Sequence, residues 1–177
     1  HSLLTVALMV MKDDKIIDKK EWKIKHTTYH VTKEALDINK IDINEFDKEA
    51  MNKEKVGREI IEFLSKYCSN EQKGMFVGQN TIFDKNFLEV FLGSLENKSR
   101  IENYYKIITH RYIDIMSITA FLNMANLIDT DGLGLDRVIN YFNLDVQARH
   151  TALDDARLTF EGLQKMIQLV KPISTKL

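Results

Sequence analysis

A histidine and two adjacent carboxylates stand close together near the C-terminal end of the chain, in the stretch Arg149-His150-Thr151-Ala152-Leu153-Asp154-Asp155. Apolar residues recur after it at helical intervals, at Leu153, Ala156, Phe160, Leu163, Ile167 and Val170. This pattern predicts a helix packed on a core, with His150 just before it and Asp155 about one turn inside. A carboxylate in that position can face the same small volume as the histidine.

Helix capping explains part of this stretch. Thr151 and Asp154 match a capping box, which satisfies the first backbone N–H groups of a helix and needs no function. It leaves Asp155 and His150 unexplained, and adjacent carboxylates repel each other unless cations neutralise them or they diverge into water. A lone histidine before a helix is more often a surface residue. Together, however, these residues suit metal-assisted hydrolysis, with a carboxylate on a hard cation and His150 accepting a proton from water.

A third carboxylate, Asp84, follows a short strand predicted over 75–77 and lies in the first turn of a predicted helix. In open α/β sheets, sites gather where the C-terminal ends of strands meet the starts of helices. Thr81 and Asp84 also match a capping box. Spacing alone favours this structural explanation for Asp84.

Composition restricts the possible classes of function. The net charge of −1 argues against a protein that coats long stretches of nucleic acid, but it allows an enzyme that grips a few phosphates. The single Cys68 cannot form an internal disulfide, which fits a reducing compartment, and we expect a cytoplasmic location. The apolar run 3–11 is too short to span a bilayer and lacks the basic flank of a secretory signal, so we expect no membrane partner.

The predicted elements must bring these carboxylates together. The runs 3–11 and 16–25 predict an antiparallel hairpin around a polar turn. Further along the chain we predict a helix from 52 to about 68, strands at 75–77 and 112–115, and helices after 81, over 116–127, over 135–142 and after 151. We predict loops over 37–42 and 129–134, and the stretch 96–102 is polar and variable. This order indicates an α/β domain, a mixed sheet with helices on both faces.

Two of these segments resemble motifs of the DEDDh-type 3′–5′ exonucleases, which include proofreading exonuclease subunits and ribonuclease T. The stretch 77–88 is similar to their second motif, and 150–156 matches their third, His-x-Ala-x-x-Asp-Ala, at every specified position. The stretch 112–115 resembles a family strand whose aspartate, here Asp114, is usually structural. The resemblance covers nearly the whole chain. It implies a ribonuclease H-like fold and a single exonuclease domain over residues 1–177.

The resemblance also implies a mechanism. In that family four carboxylates hold two Mg²⁺ or Mn²⁺ ions, which activate water and stabilise the leaving 3′-oxygen. Asp155 would bind the first metal, Asp84 would help to hold the second, and His150 would be the general base. Asn80 would help to shape the substrate pocket.

The implied substrate is the 3′ end of single-stranded DNA or RNA, since two bases must splay apart to reach such a site. Arg149 and Arg157 flank the third motif and are the candidates for phosphate contacts. A DNA polymerase or a second copy of the chain is a further partner that the resemblance allows. Nothing in the sequence separates DNA from RNA.

The chain departs from the family at its first motif, an Asp-x-Glu pair on the strand before the hairpin. No such pair precedes the hairpin here, and Asp18 and Glu21 lie in its second strand with the wrong spacing. We therefore expect residues 1–177 to lack the first, central strand of the sheet and, alone, to bind metal weakly and be inactive. Two halves of the sheet would face each other across a gap with unpaired backbone groups. We hypothesise that residues outside 1–177 form the strand.

Two other interpretations stay open. The missing acidic pair favours a catalytically inactive relative that serves as a nucleic-acid-binding or scaffolding module. The third interpretation is an unrelated α/β fold in which two capping boxes occur by coincidence. The presence or absence of Asp-x-Glu in an upstream strand would distinguish an active exonuclease from the catalytically inactive relative.

Overall fold

The computed structural model describes residues 2–147 and 151–171. Its strands, in chain order, are β1 (Thr5–Lys12), β2 (Lys15–Lys25), β3 (Met51–Asn52), β4 (Gly74–Gly78) and β5 (Ile108–Asp114). Its helices are α1 (Lys33–Asn39), α2 (Ile43–Glu49), α3 (Lys53–Ser65), α4 (Thr81–Ser94), α5 (Ser99–Ile107), α6 (Ile115–Met124), α7 (Leu135–Phe142) and α8 (Ala152–Val170). The α/β class predicted from the sequence is confirmed.

Strands β1 and β2 form the predicted antiparallel hairpin. Asp13 and Asp14 make its two-residue turn in the left-handed conformation, with φ of 49° and 60°, which suits the twist of a hairpin. Val6 lies opposite Trp22, and both are buried. The even-numbered face of β1 therefore points into the core.

The strands form two separate sheets. One contains β1, β2 and β3 in that order, and the other contains β4 and β5, paired in parallel. Within residues 2–147 and 151–171, β1 pairs only with β2, and β4 pairs only with β5. The hairpin and the β4–β5 pair therefore belong to different sheets.

The two sheets share helical layers. One apolar cluster joins Val6 and Trp22 of the first sheet, Phe76 of β4, and residues of α3, α4 and α5. The second cluster, on α6, α7 and α8, takes in Val77 of β4. Helix α8 contacts β1, β2 and β4. It therefore bridges both sheets across one face.

The segment 37–42, predicted as a loop, and the polar stretch 96–102 both contain helical residues. Within 37–42 the chain completes α1, and Asp42 caps α2 by accepting a hydrogen bond from the Asn44 N–H. The polar stretch 96–102 contains the start of α5, which buries Tyr104 and Ile107. Helices α1 and α2 have seven residues each and bury at most one residue, Phe46, so neither carries an apolar stripe that periodicity could detect.

Candidate active site

A cleft of about 1830 Å³ lies between the two sheets. All residues of β1 and of β4 line it, together with residues of α1 and α2 and with residues of α8 from Ala152 to Ile167. Asp84, from the start of α4, and Asp155, from the start of α8, line this same cleft. The structure therefore brings the two predicted metal ligands to one concave surface.

Helix α4 begins in an unusual way. Asn80 is its N-cap in the left-handed conformation, with φ 58° and ψ 48°, and it makes no side-chain capping bond. Asparagine tolerates this conformation better than most residues. The Thr81 hydroxyl donates a 2.8 Å hydrogen bond to the Ile113 carbonyl at the end of β5. The capping-box interpretation of Thr81 and Asp84 is therefore wrong, since Thr81 is already inside the helix and bonds elsewhere.

Asp114 ties the end of β5 to the starts of two helices. Its carboxylate accepts hydrogen bonds from the backbone N–H groups of Asn80 at 2.9 Å and Met116 at 3.0 Å. It is the N-cap of α6. The structural role expected for this aspartate is confirmed. By fixing Asn80, it also fixes the turn from which Asp84 projects.

The electrostatic setting of Asp84 is unfavourable for its charge. Burial, and secondly the negative charge of Asp114, raise the pKa of Asp84 to about 6 from an ordinary value of 3.8. The side chain touches solvent at the cleft, but nearby protein atoms displace part of its hydration. Among the described residues, no hydrogen bond or ion pair to this carboxylate offsets that cost. A carboxylate in such a setting gains from binding a proton or a cation.

The start of α8 is capped as predicted. The Thr151 side chain accepts a hydrogen bond of 3.3 Å from the Asp154 N–H. The Leu153 N–H donates one of 3.3 Å to the Glu21 carboxylate on β2. Asp155 follows, half-buried at the wall of the cleft. The helix start therefore presents Asp155 while its neighbours serve the cap.

Asp154 forms a buried ion pair with Arg157. It is 6% exposed and lies 2.7 Å from the Arg157 guanidinium. Arg157 also donates to the Glu161 carboxylate and to the Asp145 carbonyl, each at 2.6 Å. These bonds commit the guanidinium to the protein itself. They disfavour Arg157 as a phosphate contact, because a phosphate would have to displace these acceptors, of which Asp154 is buried.

The other three predicted site residues are not among the described lining of the cleft. His150, the predicted general base, and Arg149, the predicted phosphate contact, lie outside the described residues. Asn80 is exposed and does not line the cleft. The structure gives Asn80 a conformational role, the left-handed residue before α4, and its predicted substrate contact stays a prediction.

Glu21 is a cleft residue that sequence reasoning set aside. Its spacing from Asp18 does not match the first motif, yet its carboxylate reaches the start of α8 and lines the cleft. Only the pairing of distant elements places it there, so no local pattern could have found it. Asp47 and Glu49 have Asp-x-Glu spacing, but they lie on α2 and pair with lysines of β2.

Within residues 2–147 and 151–171, no group of three or more histidine, cysteine, aspartate or glutamate side chains is arranged to hold a metal ion. Asp84 and Asp155 have the oxygen donors that Mg²⁺ and Mn²⁺ prefer. They fit part of such a site. Two further carboxylates would be needed to complete the four that the resemblance implies.

The fold and the cleft define an α/β protein with carboxylates at the mouth of an inter-sheet cleft. No protein-family model matches the chain, and no curated protein matches it in sequence. In the part of the chain that the structure describes, no helix combines the length and apolar character needed to cross a membrane.

Proposed function

We propose that this chain forms most of the domain of a metal-dependent 3′–5′ exonuclease that hydrolyses phosphodiester bonds at the 3′ ends of single-stranded DNA or RNA. The observation that carries the proposal is that Asp84 and Asp155, on different helices and far apart in sequence, line one cleft. Both belong to segments that resemble exonuclease motifs. The proposed fold is ribonuclease H-like, with a central strand between β1 and β4.

The proposed mechanism gives Asp155 and Asp84 the role of metal ligands and His150 the role of general base. Asp155 would hold one metal ion directly, and Asp84 would help to hold a second. Two Mg²⁺ or Mn²⁺ ions, when bound, supply activation of the attacking water and stabilisation of the leaving 3′-oxygen. His150 accepts the proton of the water as its oxygen attacks phosphorus and the bond to the 3′-oxygen breaks. The raised pKa of Asp84 favours cation binding, because a cation offsets the repulsion from Asp114.

An aromatic surface beside Asp84 supports a single-stranded substrate. Phe83 is 56% exposed, its ring centroid lies 4.7 Å from that of Phe87, and both line the cleft. Exposed aromatic rings stack on unpaired bases of any sequence. A base splayed from the 3′ end could stack there while its phosphate reaches the carboxylates.

The test uses a protein completed with the acidic pair. A strand carrying Asp-x-Glu is joined ahead of Ser2 through a flexible linker, and a matched fusion carries Asn-x-Gln. With Mg²⁺, the first fusion should release mononucleotides from 3′-labelled single-stranded DNA or RNA, and EDTA should stop the release. His150→Ala in that fusion should slow the reaction by about 10² to 10⁴-fold, and Asp155→Asn should abolish it.

The outcomes separate the possibilities. Equal activity in the Asp-x-Glu and Asn-x-Gln fusions would point to a contaminating nuclease and contradict the two-metal site. A folded Asp-x-Glu fusion that binds Mn²⁺ but releases no nucleotide would overturn the proposal. Full activity in His150→Ala would remove His150 as the general base.

A second candidate is a catalytically inactive nucleic-acid-binding or scaffolding module. It is favoured by the lack of any complete metal-ligand group in the described residues. Such a module would bind fluorescein-labelled single-stranded DNA, measured by anisotropy, without cleaving it in the completed fusion. Substitution of Phe83 by alanine should then weaken binding, since stacking contributes about 1–3 kcal/mol per base.

A further inference from the structure

A second pocket, of about 470 Å³, lies at the end of the β4–β5 sheet opposite to Asp114. It is lined by Lys73, which precedes β4, by the first four residues of β5, and by residues of α4 and α5. It shares only Lys73 and Ile108 with the inter-sheet cleft, and neither Asp84 nor Asp155 lines it. The pocket is therefore a separate candidate site.

The lining of this pocket is positively charged. Within the described part of the chain, its one acidic residue is Glu89, and its basic residues are Lys73, Lys85, His110 and Arg111. Positive charges outnumber the single carboxylate even when His110 is neutral. The whole chain has a net charge of −1, so this local excess is not a general property of the protein. A concave surface with such an excess attracts anions.

Two of these charges are largely buried. Lys85 and Glu89 lie one turn apart on α4 and form an ion pair, with side chains 11% and 18% exposed. The Tyr104 hydroxyl is buried and, among the described residues, has no hydrogen-bond partner. Burial, and secondly the negative charge of Glu89, raise the pKa of Tyr104, which places this carboxylate close to the hydroxyl. Because Lys85 already engages the carboxylate, the buried part of the pocket has more donors than acceptors.

The outer cations of the pocket are available to a ligand. His110 and Arg111 are exposed, and among the described residues no ion pair or side-chain hydrogen bond engages either side chain. The Lys73 ammonium donates a 3.0 Å hydrogen bond to the Tyr105 carbonyl. This bond holds Lys73 at the pocket, and it leaves the other N–H groups of the ammonium for an acceptor. Lys73 is thus positioned without being neutralised.

From this arrangement we propose that the pocket binds the phosphate group of a small phosphate monoester. Such a group carries about two negative charges and three terminal oxygens, which match the donors of Lys73, Lys85 and Arg111. As the anion draws the Lys85 ammonium toward itself, the Glu89 carboxylate becomes free to accept the O–H of Tyr104. The buried hydroxyl then gains the acceptor that it lacks. The proposal goes beyond the proposed function and holds whether or not the protein cleaves nucleic acid.

The size of the pocket and an exposed ring favour a nucleoside monophosphate as the ligand. A volume of about 470 Å³ suits a small molecule. The Tyr105 side chain lines the pocket and is 54% exposed, so its ring can stack on a base. A nucleic-acid strand matches the donors less well, because each internal phosphodiester carries a single charge and only two free oxygens.

The test uses inorganic phosphate and adenosine 5′-monophosphate, each added to the full chain at up to about 10 mM. Binding is followed by NMR at the amides of Thr109 and Arg111 in the pocket lining, at constant ionic strength. Both probes should give saturable shifts with Kd of about 1 mM or below. Acetate, with one charge and two oxygens, should bind at least about tenfold more weakly. The nucleotide should bind more tightly than phosphate, and Tyr105→Ala should remove this difference.

Three substitutions should act in different directions. Lys85→Met removes the buried ammonium and should weaken phosphate binding at least about tenfold. Glu89→Gln removes the carboxylate that competes for Lys85, so it should tighten phosphate binding. Tyr104→Phe removes a hydroxyl that makes no bond in the free protein, so it should not lower Tm without ligand, yet it should weaken phosphate binding. Lys165→Met, at an exposed lysine of α8 outside both cavities, is the matched control and should bind phosphate like the wild type.

Each outcome decides for or against the phosphate site. Tighter binding in Glu89→Gln together with weaker binding in Tyr104→Phe supports it, even if Lys85→Met fails to fold. Absence of saturable shifts with both probes at about 10 mM, or equal binding of acetate, overturns it. A lower Tm of free Tyr104→Phe would show that the hydroxyl already has a partner, and it would overturn the release of Glu89. Shifts produced by a single-stranded oligonucleotide, with none from either probe, would also overturn the proposal and make the pocket a nucleic-acid contact.

Discussion

The Asp84 and Asp114 carboxylates repel each other across the junction of α4 and β5, and this repulsion adds to the partial desolvation of the exposed Asp84 side chain in raising its pKa to about 6. Asp114 is committed to capping α6 and to holding the Asn80 N–H. Asp84 has no such structural duty among the described residues. The fold therefore maintains an unfavourable charge at the cleft, which is typical of a ligand-binding position.

The charge of Asp84 should reduce stability above pH 6. A raised pKa means that the folded state binds the proton more tightly than the unfolded state between about pH 4 and pH 6. The contribution of the Asp84 carboxyl to the free energy of unfolding is fully present at low pH and is lost as pH rises through 6. Asp84→Asn should therefore raise Tm at pH 7.5, and the difference from the wild type should shrink as pH falls from 6 toward 4 and disappear only below the unfolded pKa of 3.8.

Thermal melts across this pH range check the prediction. Carboxylates such as Glu59, whose pKa is lowered by its bond to Lys20, shift stability in the opposite direction. The comparison is therefore made between variants at each pH. Asp131→Asn, on an exposed loop, is the control and should show no comparable pH-dependent difference. A constant difference at all pH values would contradict the raised pKa.

Asp114→Ala should destabilise the protein and also change Asp84. Loss of the α6 cap costs about 1 kcal/mol, and the freed Asn80 N–H adds to this. Removal of the negative charge should also lower the pKa of Asp84, which ¹³C NMR of the carboxyl carbon can measure. Asp114→Asn keeps an oxygen for the cap, so it should lower the pKa of Asp84 with a smaller loss of stability. An unchanged Asp84 titration in both variants would show that burial alone sets its pKa.

Two helical glycines should respond oppositely to alanine. A Cβ at Gly162 would lie 2.8 Å from a methyl group of Val138, which is fully buried, so Gly162→Ala should lower the free energy of unfolding by about 1–3 kcal/mol. A Cβ at Gly93 meets nothing within 4 Å, and Gly93→Ala should add up to about 1 kcal/mol. Urea denaturation measures both. Stabilisation by Gly162→Ala would mean that α7 and α8 pack less closely than the structure shows.

Arg157→Ala should be among the more damaging substitutions of a charged residue. It leaves Asp154, only 6% exposed, without its ion pair, and breaking such a pair costs about 3 kcal/mol. Arg58→Ala is the matched control, because the Arg58–Glu62 pair is exposed and 3.8 Å long; it should cost less than about 1 kcal/mol. Equal losses in urea denaturation would show that helix propensity, not the buried pair, dominates.

Elements with strong periodicity were predictable from the sequence. The hairpin, α3, α7 and α8 all bury a regular apolar stripe, and each lies where the pattern places it. The polar start of α5 has no such stripe, and its helix depends on burial of Tyr104 against distant partners. Local pattern is informative only where the element carries its own apolar face.

The residue types of the site were predictable from the sequence, but the hydrogen bonds and ion pairs that these residues make were not. The sequence singled out Asp155 rather than Asp154 as a metal ligand, and the structure gives Asp154 a buried ion pair with Arg157. The same reasoning favoured a cap for Asp84, which the left-handed Asn80 rules out. The contact of Glu21 with the start of α8 depends on the packing of β2 against α8, which the spacing of neighbouring residues in the sequence does not reveal.

The bridging position of α8 has a consequence for synthesis of the chain. The bond from Leu153 to Glu21 spans 132 positions, and that from Gln164 to Asp14 spans 150. During translation the hairpin emerges before α8, and the face that α8 contacts stays uncovered until α8 has left the ribosome. Contacts this distant in sequence form slowly and leave apolar strands exposed in the meantime. The nascent hairpin is therefore a natural client for chaperones until α8 arrives.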